Sequence, residues 1–405
     1  MTPMTIRAFR LATAPALALA LFAASRATGE DSPEVARQKA IRKAQEALIA
    51  AAKQGDVEHV QAQLQEGTDV NARDGSQRTP LAHAVRNGRL AVVRVLIEAH
   101  ADLDARDADG RSALMEAARR PEAQPAIALV AAGADVNLAD RRGWTALMDA
   151  AREGTLATAR AIARAPRQIS LDVVAREDSA LSLAAGRGRT ALVRALIAAG
   201  AGVRKPEVGG RALKVAADEG HVEVVLALME AHAPLGFTAW DGEPPLHAAA
   251  ARGQQKIVEL LLEGGLDPDE ADRGGQTALM KAAVGGYEQT VAVLLRLGAA
   301  ADLADREEWT ALMHAAAHSS SGAVGVIRDL LRSGARANRR AGKDGKTALM
   351  IAAERDNDLA VDELLRSGAD AQLQSGGRTA LALALAEGNK RCAERLGYTE
   401  PKTRR

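Results

Sequence analysis

The chain has 405 residues, 47% of them apolar but only 2% aromatic, and its 53 Lys and Arg against 52 Asp and Glu leave a formal net charge of +1. Leu, Val and Ile are too plentiful, and the charge too balanced, for a disordered chain. A single Cys excludes a disulfide scaffold and any Cys-based zinc site, and no bulk field is available to attract nucleic acid or an anionic membrane. A large single core usually leans on aromatic side chains. Here more than a fifth of the residues are Ala and 36 Gly interrupt them, which implies thin, closely packed elements.

The first thirty residues read as a targeting segment. Arg7 and Arg10 precede an apolar run from Leu11 to Ala24, too short to span a bilayer. Ser25-Arg26-Ala27 offers a small-x-small cleavage site, so residues 1–27 are expected to be a signal peptide. No Cys lies near the site to carry a lipid anchor. A mitochondrial transit peptide is the competing reading, but Ala16–Ala24 carries no charge and so is not amphipathic. Cleavage after Ala27 removes three Arg and no acid, leaving 50 positive against 52 negative charges. The expected location is the periplasm or outside the cell, with mitochondrial import second. No membrane span is expected after signal removal.

Residues 28–45 read as an N-terminal capping extension with Lys, Arg, Glu and Gln along one side. From residue 46 the chain repeats itself. Copies start at Glu46, Thr79, Ser112, Thr145, Ser179, Arg211, Pro244, Thr277, Thr310, Thr347 and Thr379, spaced 32 to 37 residues apart. Thr or Ser opens a short apolar run and can accept a backbone N–H at a helix start. Nine residues on, Gly ends that helix, as at Gly55, Gly88, Gly154, Gly220 and Gly286. A second apolar helix follows at 3–4 spacing, for example Val92, Val93, Leu96 and Ile97. A short Asp/Asn-rich turn such as 133–137 closes the unit. Neither helix could stand alone at this length, so each copy must cover its neighbour.

At these residues the chain resembles the ankyrin-repeat proteins. Their T-P-L-H-x-A signature survives around Thr79-Pro80-Leu81 and in Pro245-Leu246-His247-Ala248-Ala249, and elsewhere becomes T-A-L-M, with Met115, Met148, Met280, Met313 and Met350 in the usual His slot. The resemblance implies an all-α solenoid of about eleven helix-turn-helix repeats with short hairpin loops, spanning 46–398, followed by a basic tail over 399–405. In the family the His supports the inter-repeat turn by hydrogen bonding; Met can fill the space as a pliable apolar group without that bond.

Departures from the pattern supply the candidate interaction residues. The fourth copy lacks its Gly-Ala-Asp loop over 163–178, and the third has Pro121 where Gly is expected. The sixth runs AHAPLGFTAWDGEPP (231–245), with Phe237 and Trp240 in a loop that should be polar, and the ninth carries an insertion at 318–322. Trp144 and Trp309 each precede a cap residue. Aromatics on protruding loops are candidate anchors for a partner; packing between repeats is the alternative for all four. His83, Glu116, Asp149, Lys281 and His314 occupy variable first-helix positions. Their mixed signs suit a polar protein surface better than a phosphate backbone. Cys392 sits in the last, charged helix.

No catalytic constellation emerges, so no enzyme, cofactor or metal is expected. Gly345-Lys346-Thr347 resembles the end of a phosphate loop, but Arg340 stands where the first Gly belongs. Asp107, Asp109, Gly110 and Glu116 match part of a calcium loop, whose first ligand position is Ala105. His314 and His318 lie one helical turn apart with no third ligand. The expected function is a monomeric, non-catalytic scaffold that binds proteins through a concave face and loop fingers. Its role would be that of an adaptor or protector of an envelope enzyme, or an immunity-type inhibitor. The alternatives are a secreted effector binding a host protein and, less favoured, a metal- or small-molecule-binding protein.

Overall fold

The computed structural model describes residues 33–165, 169–238, 243–319 and 322–399. Twenty-two α-helices lie among them. They run as eleven consecutive pairs at the positions of the sequence copies. Residues 1–27, which read as a signal peptide, Trp240 and residues 400–405 lie outside the described residues. Among the described residues there are no named strands, only isolated antiparallel bridges where the loops return, such as Ala139 with Thr145 and Ala304 with Thr310.

Local chemistry explains the start of most first helices. Thr79, Thr145, Thr310 and Thr347 sit in extended backbone, and each hydroxyl accepts the N–H three residues on. In two copies the cap is reciprocal: the sulfurs of Met280 and Met313 accept the N–H of Thr277 and Thr310, each at 3.5 Å. The Met slot is therefore more than apolar filling, because a thioether is a weak acceptor. His247 does what Met cannot, donating from Nε2 to the carbonyl of Gln276, in the loop that leads into the next copy, at 2.9 Å.

The chain divides into two compact units. In the first (1–183 and 194–201), the first helices Pro33–Gln54, Pro80–Arg86, Ala113–Ala118 and Ala146–Arg152 pack in series. The second helices Val57–Gln65, Leu90–Glu98, Gln124–Ala131 and Leu156–Ala163 form a parallel row. Leu81, Val92, Val93 and Leu96 are fully buried between the layers, each contributing about 1.5–3 kcal/mol relative to exposure. Residues 46–54 are the end of one 22-residue helix that begins at Pro33, so the extension and the first copy share a single helix.

The second unit (184–193 and 202–405) repeats the arrangement from Arg211–Glu219 to Lys390–Arg395. Its opening is irregular. The sixth copy has no Thr or Ser cap; instead a π-helical turn, Pro206–Gly210, runs straight into Arg211–Glu219.

A recurring stitch joins successive layers within each unit. At most of the Gly-ended first helices that Gly has positive φ, as at Gly55 (+88°) and Gly188 (+65°), though Gly154 does not. It is Gly for a second reason as well, since a Cβ at Gly55 would lie 2.8 Å from Arg89 of the next copy, and one at Gly188 2.8 Å from the His221 ring. The intruding side chain satisfies the orphan carbonyls at the helix end. Arg89 donates to the Lys53 carbonyl (3.2 Å), Arg120 to Arg86 (2.6 Å), His221 to Gly186 (3.2 Å) and Asn389 to Ala353 (2.8 Å).

Candidate interaction surface

Every polar candidate from the first helices is held by the loop that immediately precedes its helix or by an Arg. Asp74, Asp140, Asp272 and Asp305 each stand five residues before a cap, and each carboxylate is used twice. One oxygen closes the loop, accepting for example the N–H groups of Ser76 (2.8 Å) and Arg78 (2.9 Å) on Asp74. The other oxygen of Asp74 meets His83 Nε2 at 2.7 Å, that of Asp272 meets Lys281 Nζ at 2.9 Å, and that of Asp305 meets His314 Nε2 at 2.8 Å.

The third and fourth copies share one such centre. Arg111 donates to Glu116 (2.8 Å), to Asp149 (2.8 Å) and to the Met115 carbonyl (3.1 Å), with Asp140 at 3.5 Å. His83 is 6% exposed, Asp149 3% and Arg111 6%, while Glu116, Lys281 and His314 are half-buried. Burial raises the Asp149 pKa by more than Arg111 lowers it. Burial alone would lower the Arg111 pKa, but Asp149 and Glu116 outweigh it.

The aromatic candidates divide. Trp144 is 8% exposed, and two guanidinium groups stack on its ring, Arg142 at 5.6 Å and Arg152 at 5.4 Å from its centroid. Trp309 is half-buried, with its ring 5.3 Å from that of His314 at a 50° tilt. Phe237 is half-buried against Gly210, where a Cβ would sit 2.5 Å from the Phe237 Cβ.

The motifs that resemble chemistry are occupied by structure. Asp107 closes its own loop through the N–H groups of Asp109 and Arg111, each at 2.9 Å. Lys346 binds Glu354 at 2.8 Å. The nitrogens of the His pair diverge, His314 Nε2 to Asp305 and His318 Nδ1 to the His314 carbonyl at 3.0 Å. Among the described residues no three His, Cys, Asp or Glu side chains converge on a metal position. The Cys392 thiol is fully buried, and burial, then nearby Asp356, pushes its pKa up to about 12.

One set of exposed residues went unremarked in the sequence although its signal is periodic. Lys53, Arg86, Arg119 and Arg152 stand seven positions after the starts of the first four copies, 33 residues apart, and all are exposed. The same position in the second unit holds Gly186, Asp218, Ala251, Val284, Ala317, Glu354 and Ala386.

Two buried imidazoles give this framework a pH dependence. Burial lowers the pKa of His83, only partly offset by Asp74, and lowers that of His247, only partly offset by the Gln276 carbonyl. Nδ1 of His247 is buried without a hydrogen-bond partner, so protonation there would strand a charge. The unfolded chain therefore binds protons that the folded chain refuses. Stability is complete above the unfolded value of about 6.5 and falls as pH drops below it, by about 1.4 kcal/mol per pH unit for each such proton. Urea midpoints at pH 7 and pH 5 should show this loss, and His247→Gln should reduce it; a flat profile in the parent protein would contradict it.

Taken together, paired short helices in series, hydroxyl-capped starts, Gly-ended first helices and Asp-closed loops define an all-α helical-repeat scaffold. The family described as ankyrin repeats (3 copies) matches residues 27–107, 48–140, 100–174, 246–341 and 318–404, and the chain belongs to the ankyrin-repeat family. No curated protein matches it. The unmatched interval 175–245 still contains helix pairs. It includes the copy whose cap is replaced by the π-helical turn.

Proposed function

We propose that this ankyrin-repeat chain is a protein–protein interaction scaffold. We propose further that it is exported and acts, without chemistry of its own, in the periplasm or outside the cell, holding or protecting an envelope enzyme or capping a toxin as an immunity-type inhibitor. One observation carries the binding reading. The inward polar groups serve the loops and helix ends of their own array, while the ends of the first helices change character from copy to copy, as from the exposed Arg86 and Arg119 to the half-buried Ala251 and Glu354. A uniform frame with a variable rim supplies recognition, and the rim is where partner choice is set.

The test is isolation of the tagged full chain from a bacterial periplasmic extract, with N-terminal sequencing and identification of what co-purifies. The expected result is a chain beginning at Thr28 with one protein in near-stoichiometric amount. A chain retained in the cytosol with Met1 intact would overturn the export half of the proposal. A mature chain with no partner at any ionic strength would overturn the binding half.

A further inference from the structure

The exposed cations of the first unit suit a particular kind of partner. Lys53, Arg86, Arg119 and Arg152 occupy equivalent places on four first helices packed in series. Neighbouring packed helices lie roughly 8–10 Å apart, so the four charges form a row of about 25–30 Å. At these positions and the next in each copy, the only acid is Glu153, which bridges Arg119 at 3.3 Å and Arg152 at 3.7 Å. Lys53 and Arg86 have no ion-pair partner among the described residues. Arg152 is steadied from beneath by the Trp144 face. At its Lys53 end the row opens into a groove of about 740 Å³ between the helix Pro33–Gln54 and the loop at 73–75. Lys39, Arg42 and Arg73 line that groove; its two acids, Glu46 and Asp74, are engaged by Arg42 (2.9 Å) and His83 (2.7 Å).

We propose that this row and groove bind an extended acidic polypeptide segment of the partner, with a carboxylate at every third residue. The inference rests on the scaffold reading above and specifies its ligand. The spacing selects the conformation. A polyproline-II segment has three residues per turn and about 3.1 Å rise, so every third side chain returns to one face after about 9 Å. A β-strand sends the third residue to the opposite face. A polyproline-II backbone also keeps its carbonyls unpaired, and exposed Gln54, next to a cation of the row, offers an amide donor to them, as does the second N–H of the Asn87 amide, whose first is given to the His83 carbonyl at 2.8 Å. The near-neutral chain as a whole argues for a local acidic segment over a nucleic acid.

The probe is a fluorescent (Glu-Pro-Pro)4 peptide titrated with the full chain and followed by anisotropy. Binding is expected at about 0.05 M salt, weakening about tenfold by about 0.3 M as the exposed charges are screened. Lys53→Glu with Arg86→Glu should weaken it at least tenfold with circular dichroism unchanged. Glu153→Ala should tighten it, and Arg355→Glu in the second unit should leave it within about twofold. If the double variant loses helicity, Arg86→Gln alone serves, with an expected loss of about threefold. The proposal is overturned if the peptide does not bind, if Arg355→Glu weakens it as much as the double variant, or if a peptide with its four Glu clustered at one end binds equally well. Equal binding of a twelve-nucleotide single-stranded DNA would overturn it too. If a partner captured from extract is retained undiminished by the double variant, the scaffold reading stands and this surface is excluded.

Discussion

Replacing Arg111 with Met is expected to lower stability by about 3–5 kcal/mol, the range found when one member of a buried ion pair is removed. The guanidinium is almost completely covered and joins two copies through Glu116, Asp140 and Asp149. Met would fill much of the volume but leave Asp149, itself buried, without its cation. The size of the loss should depend on pH. The Asp149 pKa is already raised by burial and would rise further without Arg111, so acid neutralises the stranded carboxylate and the loss shrinks as pH falls from 7 towards 4. Urea unfolding of parent and variant at both pH values reads this directly; a loss below about 1 kcal/mol at pH 7 would mean that water reaches the centre. Replacing Arg111, Glu116 and Asp149 together by apolar residues should recover most of the deficit, since the desolvation cost of the pair disappears with its attraction.

Gly209→Ala is the second substitution expected to be severe, for a purely steric reason. A Cβ there would stand 1.6 Å from the Val203 carbonyl oxygen and 2.4 Å from its carbon. Both are backbone atoms, so no rotamer change relieves the clash and the π-helical turn Pro206–Gly210 must open. A loss of more than about 3 kcal/mol is expected, at the upper end of overpacking costs. Gly67→Ala is the matched control. Its φ is +86°, but no atom lies within 4 Å of the new Cβ, so the cost should stay near the conformational penalty of about 1 kcal/mol. Similar losses at both sites, measured by chemical denaturation, would show that the turn at 206–210 is not as tight as its geometry indicates.

Much of the fold was legible because the 33-residue period is written in local chemistry. Hydroxyls at Thr79, Thr145 and Thr347 cap the helices expected of them, and Gly55, Gly88 and Gly220 take the left-handed conformation that ends them. What stayed hidden lies between copies. Nothing adjacent to Gly55 announces that Arg89 will fill the space of its absent side chain. His83 and Asp149 read as surface positions, yet a residue four places after the cap turns towards an Asp-closed loop or a neighbouring Arg and is covered by it. The π-helical turn of the sixth copy has no counterpart in the others, so self-comparison could not supply it. Four copies of Lys or Arg at one register were visible from the start, but their meaning required knowing that the register is exposed in those four copies.

The stitch between layers carries a consequence for how such a gene can change. At these junctions the donor that finishes a first helix is encoded in the following copy, so such a copy is not a self-sufficient module; its successor completes it. Arg89, Arg120, His221 and Asn389 perform the same task with different chemistry, which makes copies interchangeable in this respect despite their divergence. Duplication or loss of one whole period preserves every junction, whereas a cut inside a period separates a helix end from its donor. The unit of inheritance in this array is thus the junction between two copies, and whole-period changes are the ones the architecture tolerates.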